Sequence, residues 1–128
     1  MKLFLSMGAI LAGLSVAFGA FASHALKTRL DDRALSIFET GARYQMYHAL
    51  ALILVSLLLS RAELGQSWLT ASGTAFIAGV MLFSGSLYAL SLSGVKWLGA
   101  VAPLGGAAFL IGWTCLAIAA WNYKIWRC

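Results

Sequence analysis

Charge is scarce in this chain, and its spacing constrains the fold more than any other feature. Nine lysines and arginines and four acidic residues are spread over 128 positions so as to leave charge-free runs at 3–26, 44–60, 64–95 and 97–123. These runs are 24, 17, 32 and 27 residues long, and an α-helix crosses a bilayer with about 17 to 25 apolar residues. Four membrane spans are therefore expected, at about 3–26, 41–60, 68–93 and 98–122, forming a single transmembrane domain over 1–128. Composition agrees. The chain is 62% hydrophobic and only 10% charged, too apolar for a soluble domain of this size to bury.

The net charge of +5 does not point to nucleic acid. The basic residues sit at span ends, where they meet lipid headgroups or set topology, and no basic patch is large enough to track phosphates. Cys115 falls inside the fourth span and Cys128 ends the chain. Along a helix they would lie about 20 Å apart, beyond bridging distance, so both read as free thiols.

The first run resembles a secretory signal, with Lys2, an apolar stretch and Ala20-Phe21-Ala22. It continues to Leu26, longer than a signal's apolar region, and is expected to be retained as a span. Its small residues recur every fourth position, Ala9, Gly13 and Ala17 on one stripe and Ser15, Gly19 and Ser23 on another, a pattern that predicts close helix packing. Between spans 1 and 2, Asp31 is placed to cap a short helix whose apolar positions alternate with Arg29, Asp31, Asp32 and Arg33. That pattern predicts an amphipathic helix lying in the interface. Arg61 to Ser67 reads as a short polar turn. Pro103, followed by Leu104-Gly105-Gly106, suggests a bend near the start of span 4. Trp68 at one boundary, and Trp121, Tyr123 and Trp126 after span 4, read as interfacial anchors.

Antiparallel spans bring the polar residues to one half of the bundle: His24, Glu39, Arg43, Tyr44, Gln45, Tyr47, His48, Ser84, Tyr88 and Ser91. Polar groups in hydrocarbon are costly unless paired or used, so these are the candidate ligand- or partner-binding residues. Glu39 and Arg43 are spaced for an ion pair, and Tyr44 and His48 for a hydrogen bond. Ser84, Tyr88 and Ser91 share one helical face. Several chemistries remain open. His24 and His48 can be read as haem ligands or, with Glu39, as ligands of a divalent metal. His48, Tyr47 and Glu39 can be read as a proton relay. Arg43, the histidines and the tyrosines can be read as holding a lipid headgroup or a quinone. The plainest reading is that these groups satisfy one another and staple the helices. Ser84 and Ser86 have no acid–base partner placed by the sequence, so nucleophilic hydrolysis is disfavoured. No catalytic residue is assigned.

Four segments carry a resemblance. Gly19-Ala20-Phe21-Ala22-Ser23-His24-Ala25-Leu26, Thr40 to Leu52, Leu82-Phe83-Ser84-Gly85-Ser86-Leu87-Tyr88, and Pro103-Leu104-Gly105-Gly106 with Phe109, Gly112 and Trp113 resemble the YgdD-like family of small multi-pass membrane proteins, a domain of unknown function. One departure is Ala22-Ser23, where the family usually has Gly-Ala. The resemblance covers nearly the whole chain and implies a four-helix protein of the bacterial inner membrane. It implies no activity.

Lys2, Arg61, Lys124 and Arg127 lie on the side of the termini, against Lys27, Arg29, Arg33, Arg43 and Lys96 on the other. This is close to a tie under the positive-inside rule, and the signal-like start tips the expectation toward cytoplasmic termini. The reading is an all-α integral membrane four-helix bundle with a short interfacial amphipathic helix between spans 1 and 2. It is expected to act as an accessory or scaffold subunit, or to bind a lipid-like molecule or partner at its polar rim. Its expected partners are membrane lipids and a larger membrane complex or a homo-oligomer. The alternative is a small redox or proton-coupled transport protein using His24 and His48.

Overall fold

The computed structural model describes residues 2–125. Trp126, Arg127 and Cys128, which the sequence assigns to an anchor, a topology charge and a tail thiol, lie outside the described residues. Four helical rods are long and apolar enough to cross a membrane: Lys2–Thr28, Asp32–Leu59, Gln66–Ser93 and Lys96–Trp121. The first is α1 (Lys2–His24), extended by a short 3-10 turn at Leu26–Thr28. The second is α2 (Asp32–Leu59). The third joins α3 (Gln66–Gly79) and α4 (Gly85–Ser93) through a π-helical segment at Val80–Ser84. The fourth begins as a 3-10 segment at Lys96–Ala100 and continues as α5 (Ala102–Trp121).

The amphipathic segment between spans 1 and 2 is helical, but it is not a separate helix lying in the interface. Asp31 caps it as expected, its carboxylate accepting from the Ala34 N–H at 2.7 Å, and the helix runs unbroken into span 2. Nothing between Phe38 and Arg43 stops it: there is no proline, Thr40 turns its hydroxyl back to Ser36 O, and Gly41 is held by packing against Tyr88. α2 is therefore about 42 Å long, some 12 Å more than the hydrocarbon core needs, and its first turns project beyond the core.

Pro103 starts α5 in its first turn, where its missing N–H costs nothing. The expected bend is replaced by the 3-10 segment ahead of it. On the side of the termini, the turn after α2 forms β1 (Ala62–Leu64), which pairs antiparallel with β2 (Lys124–Ile125). Gly65 then enters α3 with φ +82°, a conformation glycine adopts without steric cost.

Packing relies on aromatic rings seated over glycines. A Cβ at Gly79 would collide with the Phe109 ring, one at Gly112 with Phe76, and one at Gly73 with Phe4, so α3 and α5 exchange rings reciprocally and α1 reaches α3. At Gly105 the obstacle is the backbone of Phe83. The small-residue expectation for α1 needs correction. Its buried face is Phe4, Gly8, Leu11, Ser15 and Ala22, whereas Ala9, Gly13 and Ala17 are exposed and a Cβ at Gly13 would meet nothing within 4 Å.

Candidate functional site

α2 carries most of the polar candidates, and its helical twist divides them into two groups. Gln45 and His48 point into the bundle and are buried, while Glu39, Arg43, Tyr44 and Tyr47 are exposed.

The inward group forms a network that ties every rod to a neighbour. Ser15 Oγ donates to Ala42 O at 2.6 Å and Gln45 Nε2 to Leu11 O at 2.8 Å, joining α1 to α2. Ser84 Oγ donates to Gly41 O at 2.7 Å and Tyr88 OH to Gln45 Oε1 at 2.7 Å, joining the third rod to α2. Ser72 Oγ donates to Gly112 O at 2.8 Å, joining α3 to α5. Ser91, the third hydroxyl of the predicted face, turns back to Tyr88 O at 2.9 Å. Among the described residues, every buried side-chain nitrogen and oxygen has a partner.

His48 sits against α5, its ring parallel to Phe109 with centroids 3.5 Å apart. The Trp113 Nε1–H donates to His48 Nε2 at 3.0 Å. Indole nitrogen only donates, so Nε2 is the bare nitrogen and Nδ1 carries the hydrogen that meets Tyr44 O at 2.7 Å. The expected Tyr44–His48 bond thus uses the tyrosine's backbone carbonyl, not its hydroxyl. Both ring nitrogens are engaged, and neither offers a lone pair to a metal.

His24 and His48 do not converge. Ser15 is level with Ala42 in the antiparallel α1–α2 pair. His24 lies nine residues beyond Ser15 in one direction and His48 six beyond Ala42 in the other, roughly 22 Å apart along the axis. A haem held between these two histidines does not fit, nor does a metal shared by both. His24 is exposed at the end of α1, and among the described residues no group of three or more potential ligands is gathered. The sequence pattern placed both histidines in one half of the bundle because it counts residues from the loops and does not register the long overhang of α2.

The outward group has few hydrogen-bond partners. Arg43 donates one bond, to Thr40 Oγ1 at 3.4 Å, and among the described residues Glu39 forms no ion pair with it. Tyr44 packs its ring on Phe83 at 4.8 Å, and Tyr47 lies 5.7 Å from Tyr44. Beside Glu39 and Arg43, a groove of about 400 Å³ opens between α1 and α2, floored by Gly19 and Ala42 and walled by Val16 and Met46. A wider hollow of about 570 Å³ near the span ends is lined by Arg33, Ser91 and Lys96.

Sequence reasoning missed Trp113 as a network member. Its signal was its position, a tryptophan deep in span 4 and away from either interface, where the indole N–H requires an acceptor.

A family profile described as "Protein of unknown function (DUF423)" matches residues 18–106. The chain belongs to this family. It is 45% identical over 123 residues to the UPF0382 membrane protein YwdK of Bacillus subtilis, covering 96% of this chain and 99% of that one. It is also 42% identical over 119 residues to a UPF0382 membrane protein of Staphylococcus epidermidis, covering 93% and 95%. No solved structure matches. This DUF423 member is a membrane protein, and both relatives named are bacterial. The family match takes in Glu39, Arg43 and Met46 of the groove and Gln45, His48, Ser84 and Tyr88, but begins after Val16 and stops short of Trp113.

Proposed function

We propose that this DUF423 protein is a non-catalytic membrane protein that holds a lipid-like amphiphile on the outward face of α2, acting as a small accessory or scaffold subunit. One observation carries the reading. The interior polar groups spend their hydrogen-bonding capacity inside the bundle, on backbone carbonyls and on one another, whereas Arg43, exposed to the membrane beside an open groove, spends one of its five donors on Thr40. An arginine at that position gains most from an anionic group at headgroup depth. Depth supports this. Counting about 20 residues, or 30 Å, back from the end of α2 reaches Thr40, so Glu39 and Arg43 straddle the membrane boundary.

The interior does not favour the redox or proton-transport alternative, because His48 is locked on both sides and lies far from His24. The bacterial inner membrane, with cytoplasmic termini, is the proposed location, since apolar helical rods rather than a barrel cross it. Native mass spectrometry of protein extracted gently from its own membrane tests the reading. The wild type should retain amphiphile adducts that Arg43→Ala loses, with melting unchanged. A bare wild type, or equal retention by the variant, would overturn it.

A further inference from the structure

Resting on that reading, we infer that the α1–α2 groove selects a zwitterionic aminophospholipid, its phosphate on Arg43, its ammonium on Glu39 and an acyl chain descending past Met46. Three features of the groove carry this.

The first is charge. A guanidinium and a carboxylate lie four residues apart on one exposed helical face, about 6 Å along the axis, without pairing with each other. An anionic lipid would meet repulsion from Glu39. A zwitterion with a short linker between its charges satisfies both side chains.

The second is order along the membrane normal. Glu39 is one turn nearer the water than Arg43, and Met46 is one turn deeper still. In an aminophospholipid the ammonium is outermost, the phosphate next and the chains innermost, so the sequence of groups matches the sequence of side chains. A lipid of reversed polarity would place its charges against their like.

The third is room. A Cβ at Gly19 would meet nothing within 4 Å, so the space above the groove floor is open. The hydroxyls that border it are already committed, Ser15 to Ala42 O and Ser23 to Gly19 O at 3.1 Å. Discrimination therefore falls to the two charged groups. A primary ammonium also donates hydrogen bonds that a trimethylated one lacks, so choline lipids should bind less well than ethanolamine lipids.

The test uses full-length protein in nanodiscs of equal phosphatidylethanolamine, phosphatidylglycerol and phosphatidylcholine, with retained lipids quantified by native mass spectrometry. The wild type should enrich the ethanolamine lipid about fivefold over the glycerol lipid, the factor one ion pair near the solvent edge supports. Glu39→Gln should bring that ratio near one while keeping the total retained phospholipid. Glu39→Lys should invert it, and Arg43→Gln should lose phospholipid altogether. All of these positions are exposed, and circular dichroism checks that each variant folds. A preference for phosphatidylglycerol in the wild type, or an unchanged ratio in Glu39→Gln, would overturn the inference. If the wild type retains no phospholipid, the parent reading fails with it; if phospholipid is retained without headgroup preference, only this inference fails.

Discussion

His48 shows how much of the bundle one side chain can hold. Its ring stacks on Phe109, its Nε2 accepts from Trp113, and its Nδ1–H meets Tyr44 O. His48→Ala removes the stacking surface and leaves the Trp113 N–H without a partner in hydrocarbon. The cavity and the orphaned donor together should cost about 2 to 4 kcal/mol, read as a lower midpoint in reversible detergent unfolding. An unchanged midpoint would show that Trp113 finds another acceptor. Gln45 makes a milder case. Its amide serves Leu11 O and Tyr88 OH at once, but hydrogen bonds between membrane helices average well under 1 kcal/mol each. Gln45→Leu should therefore cost about 1 to 2 kcal/mol, less than His48→Ala, and a larger loss would indicate that the Tyr88 hydroxyl is trapped.

Helix packing separates glycines that look alike in the sequence. Gly13 and Gly105 both lie in apolar runs among small residues, yet only Gly105 sits against a backbone, that of Phe83 in the π-helical segment. There the helix widens, with the Gly85 N–H reaching back to Val80 O. Gly105→Ala should force α5 away from the third rod and cost about 1 to 3 kcal/mol. Gly13→Ala should be within about 0.5 kcal/mol of neutral. Equal effects in the same unfolding assay would contradict the packing described here. The comparison also marks what was legible in advance. The four spans were readable because the bilayer demands long charge-free runs, and span 2 was readable as the one that carries most of the polar residues. Which small stripe of α1 faces the bundle was not, because lipid and a neighbouring helix both accept alanine and glycine. The division of Tyr44, Gln45, Tyr47 and His48 into inward and outward groups depended on the rotation of α2, which its length fixes only once the helix is seen to start at Asp32.

At the scale of the whole molecule, orientation rests on a narrow balance. Four basic residues lie on the side of the termini and five on the other, counting Arg127, which lies outside the described residues. Arg43 is within α2 at the membrane boundary, inside the zone where basic residues count toward topology, so even its assignment leaves the sides nearly equal. The first span then has a large say, because it inserts first and Lys2 precedes it. Cytoplasmic termini are expected, and a C-terminal fusion to a reporter active only outside the inner membrane should stay silent. A near tie also makes orientation sensitive to small changes. Lys2→Gln combined with Arg61→Gln removes two of the four charges that favour the expected side, so a substantial share of the fused reporter should become active, while Arg29→Gln with Lys27→Gln should leave it silent. Activity in the unsubstituted fusion would place the termini outside and turn the groove toward the cytoplasmic leaflet. It would leave the groove's chemistry intact but change the lipid pool from which it draws.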